Sequence, residues 1–201
     1  MRVIAGEFRG YRLQAPPGDS IRPTTDRVKE NLFNILQSRI NFSECGVAVD
    51  LYSGSGALGL ELLSRGVPKV LFIEKNPKIV EVIQKNMGPL VERGVLNASR
   101  YSLVKRNAET WIEEQKEGAF DLILADPPYR KKLLWTDYEK VLRCLKSTGL
   151  CVYEREAKEI ARFLGTEQTE GVLEKPEGSF HYEVRSYGQI SLLFLNRVLA
   201  T

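Results

Sequence analysis

From Val47 to Glu154, short apolar runs alternate with stretches whose apolar residues recur at helical spacing. The runs VAVDL, KVLFIE, SLVK, FDLILA and GLCVYE predict strands. Between them the spacing predicts helices from about Ala57 to Arg65, from Asn76 and Pro77 towards Leu90, around Ala108 to Lys116, and around Tyr138 to Leu145. Asparagine at an N-cap followed by proline at the first helical position is a strong start signal. Five short strands alternating with helices predict a parallel sheet covered on both faces. After residue 157 the rhythm changes, because GVLEK, HYEVRSY and QISLLFL crowd together with no long helix between the last two. That predicts a terminal antiparallel pair.

The first 24 residues read differently. RVIA and YRLQA flank the glycine-bearing GEFRG, and APPGDS is a loop, so a short β-hairpin arm is expected over residues 1–24. From Thr25 an N-cap signal and Val28, Leu32, Ile35 and Leu36 predict a helix to about Arg39, opening the main domain over residues 25–201.

Composition narrows the class. With 201 residues, 43% hydrophobic and 27% charged, the chain reads as one soluble α/β domain with a short appendage. Neither a bilayer-spanning run nor a signal-peptide pattern is legible, so a cytoplasmic protein without a membrane partner is expected. Cys45, Cys144 and Cys151 lack metal-ligand spacing and His181 is the single histidine, so no metal is expected. A net charge of +3 is too slight to indicate nucleic acid unless the cations cluster.

The first strand runs into DLYSGSGALGLE, where Gly54, Gly56 and Gly59 fit the G-x-G-x-x-G turn between a strand and a helix. Taken alone this is the dinucleotide fingerprint, and Glu74, 20 residues after Gly54 (74 minus 54), suits a carboxylate that accepts ribose hydroxyls. An NAD-dependent oxidoreductase is thus a real competitor. Asp50 separates the two cofactors. A carboxylate four residues before Gly54 would repel a pyrophosphate, whereas S-adenosylmethionine carries a sulfonium and an ammonium that welcome it. The carboxylate of that cofactor would take backbone N–H groups from Ser53, Gly54, Ser55 and Gly56. Its adenine is expected near Asn107 and Ala108, although Asn107 serves equally well as a helix N-cap.

FDLILADPPY then sets Asp126, Pro127, Pro128 and Tyr129 after the fourth strand, at the end of a doubly wound sheet where ligands bind. An aryl amine is a poor nucleophile because its lone pair is delocalised, and acceptors at its hydrogens favour the pyramidal geometry that frees the pair. Asp126 and the Pro127 carbonyl are candidates for those acceptors. Tyr129 offers a face on which a planar base can stack.

In these motifs the chain resembles the bacterial RsmD family, guanine-N2 methyltransferases of small-subunit ribosomal RNA with a class I, Rossmann-like methyltransferase fold. RVIAGEFRGYRL, RPTTDRVKENLFNIL, DLYSGSGALGLELLSRG, FIEKN, ADPPY and RSYGQISLLF match it in order, over nearly the whole chain. The resemblance implies a seven-stranded, mostly parallel sheet with an antiparallel terminal strand. It also implies cofactor contact by Asp50, the Ser53 to Gly56 loop, Glu74 and Asn107, with the guanine held by Asp126, Pro127 and Tyr129. The chain departs from the pattern at Tyr52 and Ser53, where Phe and Ala are more usual, and RKKLLWTD is not diagnostic.

Two basic clusters are candidates for the RNA. Arg9 and Arg12 lie beside Phe8 and Tyr11, with Arg22 further along the arm, and Arg130, Lys131 and Lys132 follow Tyr129 at the mouth of the expected site. A solvated hairpin and a solvated loop explain them equally well on composition alone, and the resemblance tips the balance to ribosomal RNA or a small-subunit assembly particle. An adenine-N6 methyltransferase would use the same DPPY chemistry. A non-catalytic RNA-binding module would be expected to lose Asp126 or the loop glycines, and both are present.

Overall fold

The segment ALGLELLS, helix α2 (Ala57–Ser64), is apolar on nearly every side, and Leu58 to Ser64 are all buried. A helix of that kind needs cover all round. In the computed structural model, which describes residues 1–16, 26–128, 134–175 and 178–198, the cover comes from neighbours within the first of two compact units, Met1–Ala108 and Glu109–Thr201.

The first unit holds α1 (Asp26–Arg39), β1 (Ala48–Leu51), α2, β2 (Val70–Ile73), α3 (Pro77–Glu92) and β3 (Tyr101–Val104). Strands β3, β2 and β1 pair in parallel in that order, and the register sets Leu51 against Ile73 and Ile73 against Val104. Their carboxyl ends are therefore flush, so the glycine loop, Glu74 and the segment leading to Asn107 leave the sheet at one edge. Gly59 shows how tightly α2 sits on β2. A Cβ there would lie 2.2 Å from Phe72 Cε1, so the third glycine of the motif permits close helix-to-strand packing.

Residues 1–13 form the expected hairpin in reduced form, a single antiparallel bridge between Arg2 and Arg12. The arm is packed onto α2. Glu61, wholly buried in the apolar helix, accepts from Ile4 N at 2.7 Å and Ala5 N at 3.0 Å. It also pairs with Arg65 Nε at 2.8 Å and with buried Lys29 at 3.5 Å, while Lys29 Nζ donates to Arg2 O. Burial holds the Lys29 ammonium below its usual range, against the pull of Glu61. A buried carboxylate is tolerable only when so many donors replace water. Ser64 completes the seam, accepting from Glu7 N through its carbonyl and from Phe8 N through its hydroxyl.

The second unit holds most of α4 (Ala108–Glu113), which begins at the last residue of the first, then β4 (Phe120–Ala125), α5 (Trp135–Arg143), β5 (Leu145–Glu156), α6 (Ala157–Leu164), β6 (Glu170–Lys175), β7 (Gly178–Tyr187) and β8 (Ile190–Arg197). Strands β4 and β5 are parallel, while β5, β8, β7 and β6 pair antiparallel in that order. Trp135, Tyr138, Tyr153 and Phe163 form an aromatic cluster between α5, α6 and β5, with Tyr138 and Phe163 stacked at 4.0 Å.

The described residues thus form eight strands in place of the seven expected, and two of them, β8 and β6, run opposite to β4 and β5 in place of one. The added strand is β6. Its alternating exposed and half-buried residues mark a sheet edge, and Glu170 to Lys175 pair with Glu183 to Gly178 across a short connection. Helix α6 was also not expected from the sequence, because it is short and buries only Ile160. Among the described residues, no helix is long and apolar enough to cross a membrane.

Candidate functional site

Strand β1 ends in Leu51, and the chain then turns sharply, with Tyr52 at φ 65°, Gly54 at φ 52° and Gly56 at φ 77°. Glycine takes such angles freely, whereas Tyr52 takes them at a cost that surrounding bonds must offset. Those bonds are present. Ser53 N donates to Ile73 O at 3.0 Å, Ser53 Oγ donates to Asp50 O at 2.6 Å, and Gly56 N donates to Ser53 O at 2.7 Å.

Asp50 lies under this turn. It is 2% exposed, and its Oδ2 accepts from Gly59 N at 2.9 Å in the first turn of α2. Burial, reinforced by the negative charge of Glu74 and opposed by the Gly59 hydrogen bond, pushes its carboxyl up to about 7. Asp50 therefore braces the loop from within instead of lining an open surface.

Glu74, at the end of β2, is half-buried and turned to the same loop. Its Oε2 accepts from Gly54 N at 3.3 Å and its Oε1 from Asn76 N at 2.8 Å. On the open side, a Cβ at Gly54 would meet only Tyr52 O at 3.9 Å, whereas one at Gly56 would come within 3.2 Å of Ile83. A ligand can thus approach the backbone at Gly54. Asn107 is exposed before α4, and the side chain of Ala108 is buried.

In the second unit, β4 delivers Asp126, half-buried, then buried Pro127 and exposed Pro128. Ala125 is in register with Tyr153, so two residues on Pro127 comes beside Arg155 of β5. Arg155 is 2% exposed and donates to Pro127 O at 3.1 Å and to Pro128 O at 3.2 Å, while its other terminal nitrogen pairs with Glu159 at 2.8 Å. The Pro127 carbonyl, expected to be reserved for a substrate amine, already accepts one bond and retains one lone pair.

Sequence reasoning missed Arg155. The signal was an arginine directly after the apolar strand GLCVYE, where a buried guanidinium must find carbonyls or carboxylates. Tyr129, Arg130, Lys131, Lys132 and Arg22 lie outside the described residues. Arg9 and Arg12 are exposed on the arm, but Phe8 is 3% exposed and packs in the core, so it is not a stacking face.

Over residues 1–196 the chain matches the protein family described as Conserved hypothetical protein 95. It is 36% identical over 149 residues to Ribosomal RNA small subunit methyltransferase D of Escherichia coli strain K12, covering 74% of this chain and 68% of that protein. The chain is a member of the RsmD family. A second RsmD relative, Putative rRNA methyltransferase YlbH of Bacillus subtilis strain 168, is 36% identical over 137 residues, 67% of this chain and 70% of its own length. Among solved structures, the putative methyltransferase yhhF from Escherichia coli superposes with a TM-score of 0.72 at 28% identity, covering 100% of this chain and 99% of that one. The SAM-dependent O-methyltransferase of Thermotoga maritima shares the fold, with a TM-score of 0.59 at 18% identity over 90% of this chain and 68% of its own.

The loop fits the cofactor of that fold class. The Glu74 carboxylate and an accessible backbone at Gly54 suit S-adenosylmethionine, whose sulfonium and ammonium are cationic and whose ribose offers two hydroxyls, whereas Asp50, expected to contact the cofactor, is buried beneath the loop. The Glu74 charge disfavours a pyrophosphate.

Proposed function

We propose that this RsmD-family methyltransferase transfers a methyl group from S-adenosylmethionine to the exocyclic N2 amine of a guanine in small-subunit ribosomal RNA, free or in an assembly particle. Its relatives carry names of ribosomal RNA methyltransferases, and methylation of ribosomal RNA with that cofactor is the activity of this chain. The choice of guanine N2 is our reading. Methylation of an exocyclic amine is supported by the Asp126-Pro127-Pro128 run at the carboxyl end of β4, fixed by the buried guanidinium of Arg155, and the choice of guanine over adenine rests on the arm motifs shared with the RsmD family.

In this reading Glu74 and the glycine loop, open to a ligand at Gly54, hold the cofactor; the N–H groups of Ser53, Gly54 and Gly56, expected to receive its carboxylate, are engaged within the protein, Asp50 braces the loop, and Asn107 and the Ala108 backbone read the adenine. S-adenosylmethionine supplies a methyl group already activated on sulfur. Asp126 and the free lone pair of the Pro127 carbonyl accept from the two amine hydrogens and hold the nitrogen pyramidal. As the N–C bond forms and the C–S bond breaks, Asp126 receives the proton the amine loses. Tyr129 stacks on the base, while Arg9, Arg12, Arg22, Arg130, Lys131 and Lys132 neutralise RNA phosphates. The arm over residues 1–24 is then a functional part distinct from the methyltransferase domain at 25–201.

The test is single-turnover kinetics at saturating cofactor. Asp126→Ala removes an acceptor aligned in the transition state, so the rate should fall by about 100-fold or more, with cofactor affinity unchanged. Methylation by Asp126→Ala at the wild-type rate would overturn the site chemistry.

A further inference from the structure

Asn86 sits in the middle of α3, where a polar side chain contributes little to the helix and costs free energy if buried without partners. It is 1% exposed, and its amide is engaged in three directions. Oδ1 accepts from Gln14 N at 2.8 Å, while Nδ2 donates to Gln14 O at 3.1 Å and to Ser55 O at 3.0 Å. Gln14 closes the arm and Ser55 belongs to the glycine loop. A second contact joins the same partners, since Ser55 Oγ lies 3.7 Å from Met1 Sδ and Leu13 N donates to Met1 O at 3.1 Å.

Met1 therefore touches the cofactor loop directly and Gln14 reaches it through Asn86, while Ile4, Ala5 and Phe8 between them are fastened to α2 by Glu61 and Ser64. We propose that Asn86 is a positioning residue that joins the arm and the cofactor loop into one cooperative unit, so that S-adenosylmethionine at the loop stiffens the arm. This rests on the reading of the Ser53 to Gly56 loop as the cofactor site. Loop and arm share the single amide group of Asn86. A conformation of Ser55 that improves cofactor binding fixes the Nδ2 direction and with it both bonds to Gln14. The linkage is reciprocal: an RNA that orders the arm at Arg9 and Arg12 raises affinity for the cofactor by the same factor.

Amide hydrogen exchange on the full chain tests this, with and without saturating S-adenosylhomocysteine, whose affinity is measured separately by calorimetry. In the wild type, exchange at Leu13 and Gln14 should slow by about tenfold on binding, a typical coupling factor. In Asn86→Ala the slowing should fall below about twofold, on the same scale, although the ligand still binds. Equal slowing in both proteins overturns the coupling, as does a wild type whose arm does not respond to a ligand that binds. If Asn86→Ala does not fold, the wild-type response decides alone. A wild type that fails to bind S-adenosylhomocysteine overturns the cofactor reading and the coupling together, and calorimetry separates that case from the others.

Discussion

At the scale of single residues, the candidate site is held by buried polar groups whose partners are backbone atoms. Asp50 is one. Its carboxyl, raised from the ordinary 3.8 to about 7 mainly by burial, binds a proton more tightly in the folded chain than in the unfolded one. The stabilisation from that proton is complete below about pH 4 and is lost as pH rises through about 7, with a ceiling of roughly 4 kcal/mol for three pH units. Asp50→Asn keeps an acceptor for Gly59 N and removes the titration. Thermal unfolding between pH 4 and 8 should show the variant gaining on the wild type as pH climbs to 7. Parallel curves would contradict the buried-acid account.

Arg155 is the other residue on which the site depends. Arg155→Lys keeps the charge but not the planar group that reaches both carbonyls through one terminal nitrogen while the other is anchored on Glu159. The Pro127 and Pro128 carbonyls should then drift, and a displacement of about 1 Å at a reacting group can cost about 100-fold in rate. Steady-state kinetics should show kcat falling by about 10-fold to 100-fold on that scale, with calorimetric affinity for S-adenosylhomocysteine unchanged. An unchanged kcat would remove Arg155 from the machinery.

At the scale of elements, the alternation of strands and helices was legible because the strands are short apolar runs and the helices between them repeat their apolar residues at helical spacing, with a start signal at α3. Asn76, for example, caps α3 as the sequence predicts, accepting from Lys78 N. What could not be read locally is what distant partners decide. Strand β6 exists because β7 offers it an edge, Phe8 is core because α2 needs cover, and Glu61 looks like an ordinary surface glutamate until four donors surround it. The glycine loop and the DPP run were legible as motifs, but Arg155 and Asn86 act on backbone carbonyls far along the chain and leave no spacing to detect. The arm carries its own prediction. Arg9→Glu with Arg12→Glu changes exposed side chains only, so the fold and the cofactor affinity of the RNA-free chain should hold. RNA affinity should drop, and the slope of log affinity against log salt should flatten by about 0.7 for each lost phosphate contact on a single strand. Identical binding at several salt concentrations would remove the arm from the RNA interface.

For the whole molecule, each unit presents its motif at the carboxyl end of a parallel strand, β1 in the first and β4 in the second, the end at which α/β folds bind ligands. In our proposal the first motif sets the Glu74 carboxylate against a cationic cofactor, and the second offers acceptors to an exocyclic amine. The central claim is that the acceptor is the N2 amine of a guanine in ribosomal RNA. The most direct measurement supplies the protein with tritiated S-adenosylmethionine and, separately, ribosomal RNA, small-subunit particles and DNA, then digests each labelled product to nucleosides. The account predicts label in N2-methylguanosine from the RNA or the particle and none in DNA, whereas label in N6-methyladenosine would contradict it.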